Sequence, residues 1–309
     1  MLGNNAIFAL SALLVLFGTL APLIWDVLGL GKISVGPPYF NLFFVPLMLL
    51  MAVLLSIGPL LSWGQAGPNA RKRWLIAAAT GTAAVAIFLA ATGYARWLVL
   101  AAMLPAGWVA ASAFWLPLSR WRRGRVAAIT RSEWGMCVAH VGVAVFIVGA
   151  TLVSSFSAER QLRVVPGDTV TVQDLQFRFH DVLALPGPNY LAQVGHVRVS
   201  EEGALLAELN PEKRQYRAGG NVMTEAGIAP GFSRDIYVSL GEPLDDQGAW
   251  SARFYIKPFI RWIWAGAFLM AIGGGLAASD PRYRRARTKA RAASSEVEQT
   301  GTMVGGAVR

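Results

Sequence analysis

Six stretches of this chain each hold about 20 mostly apolar or small residues, enough to cross the hydrocarbon core of a bilayer as an α-helix. They run Ile7–Trp25, Phe40–Trp63, Trp74–Gly93, Trp97–Leu118, Trp134–Phe156 and Trp262–Ala278. Lipid offers no hydrogen bonds to an exposed backbone, so segments of this kind are read as spanning helices. Several begin or end on tryptophan, whose ring carries a single N–H and settles at the membrane–water boundary. With 54% hydrophobic and only 15% charged residues, the composition is that of an integral membrane protein.

The formal net charge of +10 raises nucleic acid as a partner, but the distribution of charge argues against it. The basic surplus sits on alternate loops: Arg71, Lys72 and Arg73, then Arg120 to Arg131, then the tail after Ala278. That is the positive-inside pattern, and it places those loops and both termini in the cytoplasm. The Gly29–Tyr39 loop and the polar stretch Ser155–Pro258 then lie outside, in the periplasm of a bacterium. The expected location is the bacterial inner membrane, with lipid as a partner and no nucleic acid. No basic n-region precedes Ile7, so the chain is expected to be the continuation of something.

Between the fifth and sixth segments the hydrophobic period changes from helical to alternating. The runs "DTVTV", "LQFRFHDVL", "LAQVGHVRV", "EKRQYR", "RDIYVSL" and "WSARFYI" are separated by turn signals such as "PGD", "PGPN" and "AGGN". The fold class is therefore a membrane α-helical bundle of about six helices with one inserted all-β domain, a small antiparallel sandwich or barrel. The expected divisions are a five-helix bundle over 1–156, the β domain over 157–258, the last helix over 259–279, and a basic cytoplasmic tail without periodicity over 280–309. Cys137 is the only cysteine, which excludes an internal disulfide and a Cys-ligated zinc. In the β domain, His180 falls on the face of Gln176 and Arg178, and His196 on that of Arg198 and Ser200. Both read as solvated surface residues.

Three features carry potential chemistry. In "GMCVAHVGVAVFIV" a single histidine, His140, lies about 9 Å along the helix axis from the Trp134 interface, at 1.5 Å per residue. Its neighbours are small, and small residues admit either a packed backbone or a large flat ligand. A neutral imidazole is a common haem ligand, so a haem site and a packing site remain equally open on this ground. The loop "GLGKISVGPPYFN" holds Lys32 and Tyr39 and is long for a turn, which suggests a defined or re-entrant backbone. In the β domain, "NPEKRQY", "NVMTEAGI" and "SRDIYVSLGEP" bring Arg214, Glu225, Arg234 and Asp235. These are read chiefly as ion pairs, Glu212 with Lys213 or Arg214 and Arg234 with Asp235.

These same stretches, with "PEKRQY", "MTEAGI" and "KPFIRWIWAGAFLMAIGG", resemble the C-terminal half of the CcmF family, the haem lyase component of bacterial cytochrome c maturation. The likeness runs in order from about Asn4 to Tyr283. It implies a membrane protein that receives haem from a periplasmic carrier and joins it to CxxCH thiols of apocytochrome c. It also implies thioredoxin-like and TPR-bearing partner subunits, and a b-type haem held in the membrane by two helix histidines. His140 matches one of the two. Lys32, Tyr39, Arg214, Glu225, Arg234 and Asp235 become candidates for facing haem or partners. The family's tryptophan-rich loop, its flanking histidines and the second haem histidine have no match here. The resemblance thus implies either a naturally split protein, with an N-terminal half on another polypeptide supplying them, or a truncated product, and that the isolated chain lacks lyase activity.

Two other readings are carried forward. The chain acts as a non-catalytic scaffold that docks partners through its β domain, in which case His140 is silent. Alternatively it is a transporter subunit with helices broken at Pro22, Pro46, Pro59 and Pro105, although no Asp or Glu lies deep in a segment to relay ions.

Overall fold

The computed structural model describes residues 2–61, 68–91, 96–125, 129–245 and 248–282. Six helices take up the six apolar segments: α1 (Leu2–Val27), α2 (Pro37–Leu61), α3 (Pro68–Ala91), α4 (Trp97–Trp121), α5 (Arg131–Phe156) and α6 (Ile260–Ala278). All six contain a span long and apolar enough to cross a membrane. The segment ends expected at Trp63 and Gly93, and the tail beyond Arg282, lie outside the described residues. The chain divides into two compact units, Met1–Val145 with Ala265–Arg309, and Phe146–Trp264.

In the first unit, small and polar residues mark the helix contacts, as expected where lipid removes the usual hydrophobic drive for packing. Ser112 donates to Ser56 at 2.9 Å, tying α4 to α2. A Cβ added at Gly107 would lie 2.8 Å from Val85 of α3, so α3 and α4 touch backbone to side chain. Outward faces are apolar: Leu13, Phe17, Ile87, Phe88, Trp97 and Leu98 are all more than half exposed. Such a surface suits acyl chains and not water.

The connector between α1 and α2 is shorter than the sequence suggests. Pro37 opens α2, a position its fixed φ and missing N–H favour. Tyr39 therefore sits in the first helical turn and not in a re-entrant loop. Its hydroxyl donates to the Leu14 carbonyl of α1 at 3.0 Å.

The second unit carries ten antiparallel strands: β1 (Ala158–Val164), β2 (Thr169–Val172), β3 (Leu175–Pro186), β4 (Tyr190–Glu201), β5 (Ala204–Leu209), β6 (Glu212–Tyr216), β7 (Val222–Glu225), β8 (Gly227–Ala229), β9 (Arg234–Pro243) and β10 (Trp250–Pro258). One sheet has the order β1-β10-β9-β8. The other runs β2-β3-β4-β6-β7, with β5 also on β4. Alternating residues of both sheets fill the core, among them Leu175, Phe177, Phe179, Val197, Val199, Val238, Leu240 and Phe254, so the domain is a sandwich. Phe177 and Phe254 meet edge to face at 5.1 Å.

The alternating runs seen in the sequence correspond to β2, β3, β4, β6, β9 and β10. Strands β1, β5, β7 and β8 were not expected, and the reasons are local. β7 and β8 are too short to display a period, and "ALLAEL" of β5 does not alternate. β5 forms because Glu202 and Gly203 adopt φ of 49° and 85°, the two-residue turn whose twist suits a hairpin.

Candidate functional site

Helix α5 positions His140, and its sequence explains the placement. Thr130 and Glu133 form a reciprocal cap: the Thr130 N–H donates to Glu133 Oε2 at 2.8 Å, and the Glu133 N–H to Thr130 Oγ1 at 3.3 Å. A further N–H of the first turn, that of Ser132, donates to the Asp280 carboxylate at 3.0 Å. Asp280 is itself buried, and the Arg282 side chain with the Arg282 and Ser132 N–H groups holds its carboxyl well below the usual carboxylate range. Asp280 therefore belongs to the α5 cap, although the sequence assigns it to the tail.

Above the cap, Gly135, Gly142 and Gly149 recur every seven residues, so they trace one nearly straight stripe on the helix. That stripe is pressed against α6. A Cβ at Gly135 would lie 2.5 Å from the Gly273 carbonyl, and one at Gly142 would lie 2.7 Å from the Gly266 carbonyl. His140 stands about 150° round the helix from this seam, at 100° per residue. It shares the opposite face with Cys137 and Ala144, and the three are 8%, 4% and 5% exposed.

Among the described residues none makes a hydrogen bond to the His140 ring. The fully buried, unpaired polar side-chain atoms among the described residues are Trp108 Nε1 and His180 Nε2, so the His140 ring nitrogens stay accessible, and an accessible imidazole at membrane depth can take a ligand or a second chain. No group of three His, Cys, Asp or Glu among the described residues is placed to hold a metal ion. His180 and His196 both lie in the sandwich. His140 could serve as a single imidazole ligand to a haem iron.

The other candidate residues lie outside α5. Lys32 is exposed in the α1–α2 connector. Tyr39 closes over Gly18, where a Cβ would lie 2.6 Å from its ring, and reads as a helix-packing residue. In the sandwich, Arg214 pairs with Glu212 at 2.7 Å, reaches Glu225 at 3.6 Å, and stacks over Tyr190 at 4.8 Å.

Arg234 and Asp235 do not pair with each other, contrary to the sequence reading, because successive strand residues point to opposite faces. Arg234 instead joins Asp174 and Glu201, both at 2.7 Å. Asp235 is buried, accepts the Gly231 N–H at 2.9 Å and pairs with Arg261 at 3.2 Å.

His196 stays partly exposed as expected, whereas His180 departs from expectation. Pairing slips between Phe179 and Asp181, so a bulge at His180 interrupts the alternation. Asp181 thereby lies 2.5 Å from His196 Nδ1, while His180 Nε2 is buried without a hydrogen-bond partner among the described residues. With Arg198, Glu208 and Asn210 they line a polar groove of about 230 Å³. No period in the sequence signals the bulge, and it was missed.

Comparison with known proteins bears on what these units belong to. Residues 155–258, which hold the sandwich, match the family model described as the CcmF C-terminal beta-sandwich. The cytochrome c-type biogenesis protein CcmF of Pseudomonas aeruginosa is 44% identical over 300 residues, covering 94% of this chain and 45% of that protein. The chain belongs to the C-terminal half of the CcmF family. CcmF of Escherichia coli K12 is 42% identical over 293 residues, covering 92% of this chain and 44% of the relative. The chain thus spans about half the length of the CcmF proteins it matches. A solved structure titled "Cytochrome c Heme Lyase CcmF" superposes with a TM-score of 0.70 over 89% of this chain and 44% of the other. At 20% identity that match supports the CcmF fold: membrane helices with an inserted sandwich.

Proposed function

We propose that this CcmF half works in the haem lyase complex of cytochrome c maturation and holds one side of a membrane b-type haem through His140. The observation that carries this reading is the His140 imidazole, which has no hydrogen-bond partner among the described residues and lies on the face of α5 turned away from the α6 seam. A second histidine ligand and the rest of the machinery would come from the N-terminal half of the family on another polypeptide. The sandwich faces the periplasm, where haem carrier, apocytochrome c and the thioredoxin-like and TPR-bearing subunits meet it, and both termini are cytoplasmic.

The haem held there would supply a redox centre beside the substrate haem. The residues of this chain position it. The α5–α6 seam leaves α5 little freedom to slide or rotate, and the Thr130–Glu133 cap fixes where the helix starts. The chain contributes orientation, while the reacting vinyl groups and thiols belong to haem and apocytochrome.

The test is optical. Co-expressed with an N-terminal half, the chain is expected to give a six-coordinate b-type spectrum that the chain alone lacks, and His140→Ala should remove both that spectrum and cytochrome c assembly. A fully occupied six-coordinate spectrum from the isolated chain, or normal assembly in the His140→Ala strain, overturns the assignment.

A further inference from the structure

The loop between β8 and β9, Pro230–Ser233, carries Phe232, at 80% the most exposed large hydrophobic side chain among the described residues. The loop is held firmly. The Gly231 N–H donates to Asp235 Oδ1 at 2.9 Å, and the Ser233 carbonyl accepts the Phe259 N–H at 2.8 Å. The Phe232 carbonyl accepts the Trp262 indole N–H at 3.2 Å, and the two rings lie 5.6 Å apart. Phe259 has φ of 54°, a left-handed turn that swings the chain from β10 into α6 and brings its own ring 5.1 Å from that of Trp262.

The level of this cluster along the membrane helices is fixed by Gly149 of α5. A Cβ there would lie 2.8 Å from the Ile263 nitrogen and 3.0 Å from the Trp262 carbonyl carbon, so Trp262 stands level with Gly149. Helix α5 continues seven residues beyond, to Phe156, a rise of about 10 Å. Its first polar pair, Ser154 and Ser155, comes five residues past Gly149. Trp262 thus lies several ångströms inside the end of the apolar stretch, and the β8–β9 loop descends to meet it. Arg261, half exposed and paired with Asp235, stands one residue nearer the polar side. Phe232 and Trp262 in contact, with Arg261 one residue nearer the polar side, match the glycerol–acyl and phosphate levels of a bilayer surface.

We propose that the β8–β9 loop inserts Phe232 into the phospholipid interface of the leaflet on the sandwich side, so that the sandwich stands on the bilayer at a fixed depth. The occupant of this surface is lipid at the glycerol–acyl boundary. The proposal rests on the membrane-spanning helices and is independent of the haem reading.

The experiment uses the full chain in vesicles of phosphatidylcholine and phosphatidylglycerol. Phe232→Cys is made in a Cys137→Ala background and labelled with an environment-sensitive nitrobenzoxadiazole. The control is Leu244→Cys, half exposed beyond the far end of β9, about 30 Å along that strand. If Cys137→Ala fails to fold, Cys137 is retained, because its buried thiol labels slowly and the parent chain gives the background. At position 232 the emission should be blue-shifted and quenched at least twofold by lipids doxyl-labelled near the headgroup, with neither effect at 244. Emission at 232 resembling that at 244 overturns the proposal, because the loop is then in water. Blue-shifted emission that the doxyl lipids leave unquenched also overturns it, because protein then covers the ring.

Discussion

Two adjacent glycines of α6 give a sharp test of the seam that holds α5. A Cβ at Gly273 would lie 2.5 Å from both the Ala139 nitrogen and the Gly135 carbonyl oxygen, and 2.8 Å from the Ala139 Cα. A Cβ at Gly274 meets no described atom within 4 Å. Each replacement by alanine gains the same intrinsic helix preference, up to about 1 kcal/mol. That gain cancels when the two variants are compared, so their difference isolates the steric cost.

At Gly273 the obstacle is backbone on the facing helix, which cannot rotate aside. Ordinary contact requires the helices to part by roughly 1 Å, and overpacking of that kind costs about 1–3 kcal/mol. Gly273→Ala is therefore expected to unfold more easily than Gly274→Ala by about 1–3 kcal/mol, with Gly274→Ala neutral or slightly more stable than the parent. Titration of the detergent-solubilised chain with sodium dodecyl sulfate, followed by helical circular dichroism, reads the difference directly. Equal stability of the two variants within about 0.5 kcal/mol would refute the close seam, and with it the argument that α6 fixes the rotation of His140.

The start of α5 offers a second check. Thr130→Ala removes the hydroxyl that caps the helix and should cost about 1 kcal/mol, whereas Thr130→Ser should be silent; hydrogen exchange of the amides from Ser132 to Gly135 reports either outcome. In the sandwich, the hydrogen bond from Arg234 lowers the Asp174 carboxyl, against a smaller opposing effect of burial. A folded value below the unfolded one, about 3.9, means that the stabilisation is present above pH 4 and is lost as pH falls through the folded value. Protection of the β3–β4 amides, corrected for intrinsic exchange, should therefore fall below about pH 4, and Arg234→Gln should flatten that fall. The effect is well under 1 kcal/mol because Asp174 is half exposed, and an unchanged acid profile in Arg234→Gln would show that the pair contributes nothing.

Much of the architecture is readable in the residues because two periods and one length carry it. Runs of about 20 apolar residues imply spanning helices whatever their neighbours, and alternation in "LQFRF" or "WSARFYI" implies strands with one buried face. His140 is conspicuous for the same reason, since a lone imidazole in a hydrocarbon-length segment stands out from its background. Even the cap of α5 is written locally, in the Thr130–Glu133 spacing.

Other properties depend on what comes opposite, and one strand or helix does not encode that. Arg234 has Asp235 beside it in sequence, yet the pleat turns the two to opposite faces, and the packing of one sheet on the other supplies Asp174 from the β2–β3 turn and Glu201 from the end of β4. The bulge at His180 arises from a slip in pairing between β3 and β4, so His196 finds Asp181 only in the folded sheet. The glycine repeat of α5 is visible as a pattern, but its meaning as a seam comes from Gly266 and Gly273, more than a hundred residues away on α6. That seam decides which side of the helix His140 occupies. Sequence by itself places an imidazole at membrane depth; the close backbone approach of α5 and α6 determines the direction in which it is offered.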